Sequence, residues 1–238
     1  MKHIQGKHVF ESLEEVVDPK HTALLIIDMQ NGLASPEGYT ARQGDISISH
    51  QRSIIPALLN VLDSARSSGV HVVHVQVVFD ENMASTSPAS LYSGARMRDF
   101  GAYWGHPASS TRKSNRKTLI DGTWEAEIIR ELAPQPNEFI VKKHRNSAFV
   151  NTPMDQVLRS NAIQSVVVTG TTTAGCVLAT ALDALWYDYY TLVVANCIAD
   201  CFPERHQAGI AILGERFDMP SSDEIVALWS KQRVQAAA

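Results

Sequence analysis

Residues 165–187 read SVVVTGTTTAGCVLATALDALWY. The opening SVVVT is a β-branched run of strand length without alternation, which suits a strand buried on both faces. Gly170 to Gly175 is a turn bounded by glycines, and Cys176–Tyr187 carries apolar residues at helical spacing. A strand that passes through a short turn into a helix is the repeating unit of a parallel sheet.

The same unit recurs on both sides of this stretch. Upstream, Ala23–Ile27 (ALLII) is a short apolar run ending at Asp28. Ile54–Ser67 is predicted as a helix, with Ile55, Leu58, Leu59, Leu62 and Ala65 on one face and Gly69 as the stop. Val70–Phe79 is a second strand, and Trp124–Leu132 a short helix stopped by Pro134 and Pro136. Phe139–Lys143 (FIVKK) is a third strand, followed by a helix over Pro153–Ser160 with Thr152 as N-cap. Downstream come a strand at Tyr190–Ala195, a helix at Arg205–Glu215, a short strand near Phe217 and a last helix at Asp223–Trp229. The tail RVQAAA is expected to fray.

These elements predict an α/β fold, a Rossmann-like three-layer α/β/α sandwich around a mostly parallel sheet of five or six strands. One domain should span residues 1–238, with an N-terminal extension over 1–20 and an insertion over about 80–122. The insertion is long for a connection, and it carries Tyr92, Phe100, Tyr103 and Trp104 before the basic stretch PASSTRKSNRKT. It suits a lid, a substrate-selecting loop or a subunit contact. Arg112, Lys113, Arg116 and Lys117 are expected on a solvated loop face.

Composition narrows the function classes. The chain is 45% hydrophobic and 19% charged, an ordinary globular balance. A net charge of −4 offers nothing to nucleic acid or an acidic membrane, so neither is an expected partner. No apolar run approaches the ~18 residues of a membrane span. Residues 1–20 carry charges throughout instead of a signal-type apolar core, and a soluble cytoplasmic protein is expected. Three cysteines, an odd count, imply no disulfide framework, and Cys197 and Cys201 lack CxxC spacing.

In an open parallel sheet the ligand crevice lies beyond the carboxyl ends of the strands. Asp28, the Lys142–Lys143 pair and the turn before Cys176 all fall on that rim. At a helix start the unpaired amides and the dipole favour a thiolate, and the same amides suit a developing oxyanion. A small buried hydrophobe is the competing reading of Cys176. Asp28 follows an apolar run, where burial makes a better base, though a capping or loop aspartate has the same signature. Lys142 and Lys143 point to opposite faces of their strand, so at most one of them serves Asp28. Gln30 and Thr171 on the rim, with Trp124 and Phe149 as walls, are the candidate pocket residues.

Other constellations are weaker. GTTTAG lacks the Lys and Ser or Thr that complete a phosphate loop. His71 and His74 sit at odd spacing on a strand and cannot chelate one metal together. His144 and His206 read as hydrogen-bonded structural histidines, Cys197 as core packing, and Cys201 as a loop residue near the site mouth.

With these residues in place, the chain resembles the isochorismatase-like cysteine hydrolases from about residue 22 to 229. The motifs are LLIIDMQNG around Asp28, VKKHRNSAFVNTPMD around Lys143 and VVVTGTTTAGCVLATALDA around Cys176. The resemblance implies a catalytic triad of Asp28, Lys143 and Cys176. The lysine four residues before the Ser of the SAF-like motif is Lys143, not Lys142. It also implies an oxyanion hole from the N–H groups of Thr172 and Cys176, with a cis peptide between Thr171 and Thr172 aiming the first of them. The stretch from Trp124 to Ser160 is similar to ureidoacrylate amidohydrolases, whereas the Cys176 motif and HQAGIAILGERF are similar to N-carbamoylsarcosine and maleamate amidases. The implied activity is cysteine-dependent hydrolysis of a C–N bond in a small linear amide, carbamoyl or ureido substrate, with ammonia released. Vinyl-ether hydrolysis and a catalytically inactive binding homologue are the alternatives. Asp80, in VVFDENMAS, lacks the histidine partners of the nicotinamidase metal motif, so no metal and no cofactor are expected. Val77 and Asn146 stand where ureidoacrylate enzymes carry Asn and Tyr, which implies a different pocket. The resemblance implies a homo-oligomer, a dimer or tetramer.

Overall fold

The computed structural model describes residues 1–42, 46–82, 84–86, 88 and 118–237. The four aromatic and four basic residues singled out in the insertion lie outside the described residues. In chain order the strands and helices are β1 (Lys2–Ile4), β2 (Lys7–Val9), α1 (Leu13–Val16), β3 (Thr22–Ile27), α2 (Asn31–Ala34), α3 (Tyr39–Arg42), α4 (Ser49–Ser53), α5 (Ile55–Ser68) and β4 (His71–Val77). They continue with β5 (Phe139–Lys143), α6 (Met154–Ser160), β6 (Ser165–Thr171), α7 (Leu178–Trp186), β7 (Tyr190–Ala199), α8 (Pro203–Gly214) and α9 (Ser222–Ala237).

The five main strands order as β5-β4-β3-β6-β7, and every pair is parallel. All residues of β3 and β6 are buried, as their unbroken apolar runs require. Alternation divides the side chains of β3, β4 and β6 between two layers. Leu24, Ile26, Val72 and Val167 pack against α5 and α9, through Leu58, Leu62, Ile225 and Trp229. Leu25, Ile27, Val75 and Val168 pack against α6 and α7, through Leu158, Ala181 and Ala184. The result is the expected three-layer α/β/α arrangement. Burying each such side chain contributes about 1.5–3 kcal/mol.

The chain order turns back between β3 and β6, which creates the switch point where open sheets form their crevice. Ile27 pairs with Val75 on one side and with Gly170 on the other, so Asp28 leaves the sheet there. Gly170 has φ +102°, and a Cβ on it would lie 2.1 Å from the Ile27 carbonyl oxygen. Only glycine lets β6 pass this close to β3.

Tertiary contacts changed several predicted elements. Trp124–Leu132 is not one helix but two 3-10 turns, Trp124–Ala126 and Arg130–Leu132. Between them the Glu127 carbonyl accepts from Asn31 N–H (2.8 Å) and Ile129 N–H donates to the Met29 carbonyl (2.9 Å). Backbone groups committed to the rim cannot also close helical turns. The strand near Phe217 is a single bridge from Leu192 to Asp218, and Pro220 two residues later has no N–H to extend a ladder. Strand β7 runs on to Ala199, and the last helix does not end at Trp229 but continues to Ala237, through most of the tail expected to fray. Met154, not Pro153, begins α6, although Thr152 Oγ1 does accept the Met154 N–H at 3.2 Å. Among the described residues no helix is long and apolar enough to cross a membrane.

Candidate active site

The three strand ends named from the sequence meet at the switch point. Lys143 shares its strand face with Val141, which packs into the sheet layer of Ile27 and Val75. Its side chain is fully buried, and Nζ lies 2.8 Å from Asp28 Oδ2. The same Nζ donates to Cys176 Sγ at 3.1 Å and to the Arg145 carbonyl at 3.0 Å. Lys142 points to the opposite face, half exposed, and pairs with Asp121 at 2.7 Å.

Asp28 is 1% exposed and sits at φ +51°, in the left-handed region that aspartate tolerates better than most residues. Its N–H is tied to the Val75 carbonyl at 3.0 Å, and its own carbonyl accepts from Gln30 N–H at 2.9 Å. These bonds bend the chain off β3 and hold the carboxylate over the rim. Carboxylate Oδ1 is buried and has no hydrogen-bond partner.

Cys176 lies in a π-helical turn, Thr173–Val177, that joins β6 to α7. The Thr171–Thr172 peptide ahead of it is cis, as expected. Within the turn the Thr172 carbonyl accepts from Gly175 N–H (3.0 Å) and Val177 N–H (3.1 Å). The Cys176 amide stands between those two and outside both bonds.

Electrostatics runs against the lowered thiol pKa that a helix start favours. Burial comes first, then the Asp28 charge, and together they push the Cys176 thiol up to about 12. Lys143 opposes them and loses. Burial also raises the Asp28 carboxyl against the pull of Lys143. Burial works to lower the Lys143 ammonium, but Asp28 and the thiol raise it, and the rise wins. The centre is therefore a firmly protonated lysine, a carboxyl raised by burial against the pull of that lysine, and a neutral thiol.

A pocket of about 60 Å³ opens over Cys176. Asp28, Thr171, Thr172 and Cys176 form its floor. Val77, Phe79, Leu119 and Phe202 make an apolar wall, while Gln51, Arg145, Asn146 and Asp200 supply polar groups. Of the four candidate pocket residues only Thr171 lines it. Gln30 is fully buried and spends its amide on the Val77 carbonyl (3.0 Å), the Ala126 carbonyl (2.8 Å) and the Val77 N–H (2.9 Å). Trp124 is 46% exposed on the outer surface. Phe149 is in the core, stacked on Tyr187 at 5.1 Å between ring centroids. Cys201 does reach the pocket, where its sulfur accepts from Gln51 Nε2, and Cys197 is buried in the core. His144 Nδ1 meets the Val78 carbonyl at 2.8 Å, outside the pocket lining. Gln51 and Asp200 carried no sequence signal of their own, since one lies on a short helix and the other at a strand end extended by tertiary pairing.

Known proteins share this fold. An isochorismatase-like hydrolase from Alkaliphilus metalliredigens is 27% identical, covers 88% of this chain and 99% of its own, and superposes with a TM-score of 0.66. N-carbamoylsarcosine amidase from Thermoplasma acidophilum shares the fold at 24% identity, over 85% of this chain and 97% of its own, with a TM-score of 0.63. So does a pyrazinamidase/nicotinamidase from Streptococcus mutans UA159, at 24% identity, 82% and 96% coverage and a TM-score of 0.60. The model of the isochorismatase domain matches residues 22–224, a span that begins with β3 and holds Asp28, Lys143 and Cys176, and the chain belongs to the isochorismatase family.

Proposed function

We propose that this chain is a cysteine-dependent amidohydrolase acting on the C–N bond of a small linear amide, carbamoyl or ureido compound, not a peptide bond. One observation carries the reading: a single buried ammonium, Lys143 Nζ, lies 2.8 Å from Asp28 Oδ2 and 3.1 Å from Cys176 Sγ on the floor of one pocket. A nucleophile, a base and a fixed positive charge then act within one hydrogen-bonded group.

Asp28 Oδ1, which has no protein partner, takes the thiol proton as sulfur attacks the substrate carbonyl carbon. Proton transfer at the moment of attack suits a thiol that rests neutral. The oxyanion is received by the N–H groups of Thr172 and Cys176. The C–N bond breaks, ammonia departs with the proton from Asp28, and a thioester on Cys176 remains. Water gives a proton to Asp28 as its oxygen attacks the thioester carbonyl, and Asp28 returns that proton to the sulfur as the C–S bond breaks, which restores the thiol and the carboxylate and frees the acid product. Lys143 orients Asp28 throughout and favours its ionised form between the proton transfers. A cavity of about 60 Å³ suits a substrate of few heavy atoms, since one water needs ~10–15 Å³ on the same scale.

The test is an ammonia-release screen over small amides, carbamoyl and ureido compounds, with Cys176→Ala beside the wild type. Turnover by the wild type, lowered about 10⁴-fold or more in the variant, is expected. Comparable ammonia release by both proteins sinks the reading, as does a wild type that releases no ammonia but frees pyruvate from a vinyl ether.

A further inference from the structure

Helix α8 packs against the turn that carries Cys176. His206 Nδ1 lies 2.8 Å from Thr173 Oγ1, and Thr173 is fully buried. One helical turn later on the same face, Gly209 approaches so closely that a Cβ would stand 2.9 Å from Thr173 Cγ2 and 3.0 Å from Ala174 N. From the end of β7, Asp200 Oδ2 accepts the Ala174 N–H at 3.2 Å while Oδ1 accepts the Phe202 N–H at 3.4 Å. Asp200 is itself 3% exposed. His50 of α4 braces the pair, with its ring edge-on to His206 at 4.5 Å and Nδ1 3.1 Å from the Asp200 carbonyl.

We infer that His206 and Asp200 are positioning residues, and that their contacts with Thr173 and Ala174 set where the Thr172 and Cys176 amides and the Cys176 sulfur stand. The inference deepens the proposed function and rests on its nucleophile and oxyanion site. Three features support it beyond simple packing. All three contacts converge on two consecutive residues, Thr173 and Ala174, placed between the two amides. The His206 bond and the Asp200 bond come from different elements, so together they fix the turn in more than one direction. Burial, with His50 beside it, lowers the His206 imidazole, which leaves it neutral at neutral pH, and Nδ1 is then free to accept the Thr173 hydroxyl proton. A displacement near 1 Å at a reacting centre costs about 10²-fold in rate, so small losses of grip are readable.

The experiment compares His206→Ala, His206→Asn, Thr173→Val, the His206→Ala/Thr173→Val double variant and Asp200→Ala with wild type. Asparagine keeps a polar atom near the place of Nδ1. Two quantities are read on protein whose fold is checked by circular dichroism. The first is kcat and KM on the best amide from the screen. The second is the dissociation constant for acetaldehyde, whose carbonyl carbon bonds to Cys176 sulfur while the thiol proton passes by way of Asp28 to the oxygen. That adduct needs the turn but no amide chemistry, so a wild type that binds acetaldehyde yet hydrolyses no amide rejects the amidase reading and leaves this inference testable. We expect His206→Ala, Thr173→Val and Asp200→Ala to weaken the adduct about ten- to a hundredfold and lower kcat similarly, with KM within about twofold for the first two, whose side chains lie outside the pocket lining. His206→Asn should regain most of the loss, and the double variant should be no worse than either single one. An adduct as tight as wild type in folded His206→Ala or Thr173→Val overturns the inference. So does an asparagine variant no better than alanine. Should His206→Ala not fold, Thr173→Val, which removes the other side of the same bond, decides the matter alone.

Discussion

Lys143 Nζ lies 2.8 Å from Asp28 Oδ2, with both side chains almost completely buried, while its neighbour Lys142 pairs with Asp121 half exposed at 2.7 Å. Two consecutive lysines on one strand thus make ion pairs of opposite character. Removing one partner of a buried pair leaves a charge without compensation and costs about 3–5 kcal/mol, whereas an exposed pair is worth roughly 0–1 kcal/mol. Lys143→Met should therefore lower unfolding stability by a few kcal/mol, with protonation of the stranded Asp28 limiting the loss, and should abolish turnover at neutral pH. Lys142→Ala should change neither by much. Urea unfolding and kcat measured on both variants check this, and a Lys142→Ala defect equal to that of Lys143→Met contradicts it.

The pH dependence follows from the directions of the shifts. The base must be ionised to take the thiol proton, so activity is lost as pH falls through the Asp28 pKa. Burial raises that value, so the acid limb of kcat/KM should lie above the ordinary carboxylate range. The thiol, pushed up to about 12, is not thiolate at neutral pH. Its alkylation by iodoacetamide should be slow at neutrality and still rising near about pH 10. A rate that levels off near neutrality would mean a resting thiolate, and the proton would then not need Asp28.

The parallel sheet was legible because β3 and β6 are unbroken apolar runs, and period-two alternation alone put Lys142 and Lys143 on different faces. That Asp28, Lys143 and Cys176 come together was legible because each follows or ends a strand on one rim. The pocket was not. Gln30 neighbours Asp28 in sequence, but which side chains close a cavity depends on contacts between segments far apart, such as Gln51, Phe79 and Asp200. The direction of the thiol shift was hidden for a related reason. A helix start favours thiolate, yet burial and an adjacent carboxylate, both products of tertiary packing, outweigh it at Cys176. The 124–132 segment failed as a helix because its backbone groups bond to residues 29 and 31.

Gly170 tests how the rim is built. At φ +102°, with a Cβ due 2.1 Å from the Ile27 carbonyl oxygen, alanine there is both strained and sterically blocked. The strain alone is worth about 1–3 kcal/mol, and the collision must push β6 away from β3 just before the Thr171–Thr172 peptide. Gly170→Ala should lose at least that much stability by urea unfolding, together with most of its activity. A variant of wild-type stability would mean that the strands separate at no cost.

Gln30 separates a rim support from a substrate contact. Its side-chain amide holds both backbone groups of Val77 and the Ala126 carbonyl, all within 3.0 Å, and none of its polar atoms is left for a ligand. Gln30→Leu keeps the volume but strands the two Val77 groups, each at about 1–3 kcal/mol, while the Ala126 carbonyl keeps its bond from Gln76 Nε2 at 3.0 Å. The Val77 wall and the turn at Asp28 should loosen together. We expect a loss of stability on the order of 3 kcal/mol, a fall in kcat and a KM nearly unchanged across substrates that differ in size. If instead KM rises for some substrates and not for others while stability holds, Gln30 touches substrate directly.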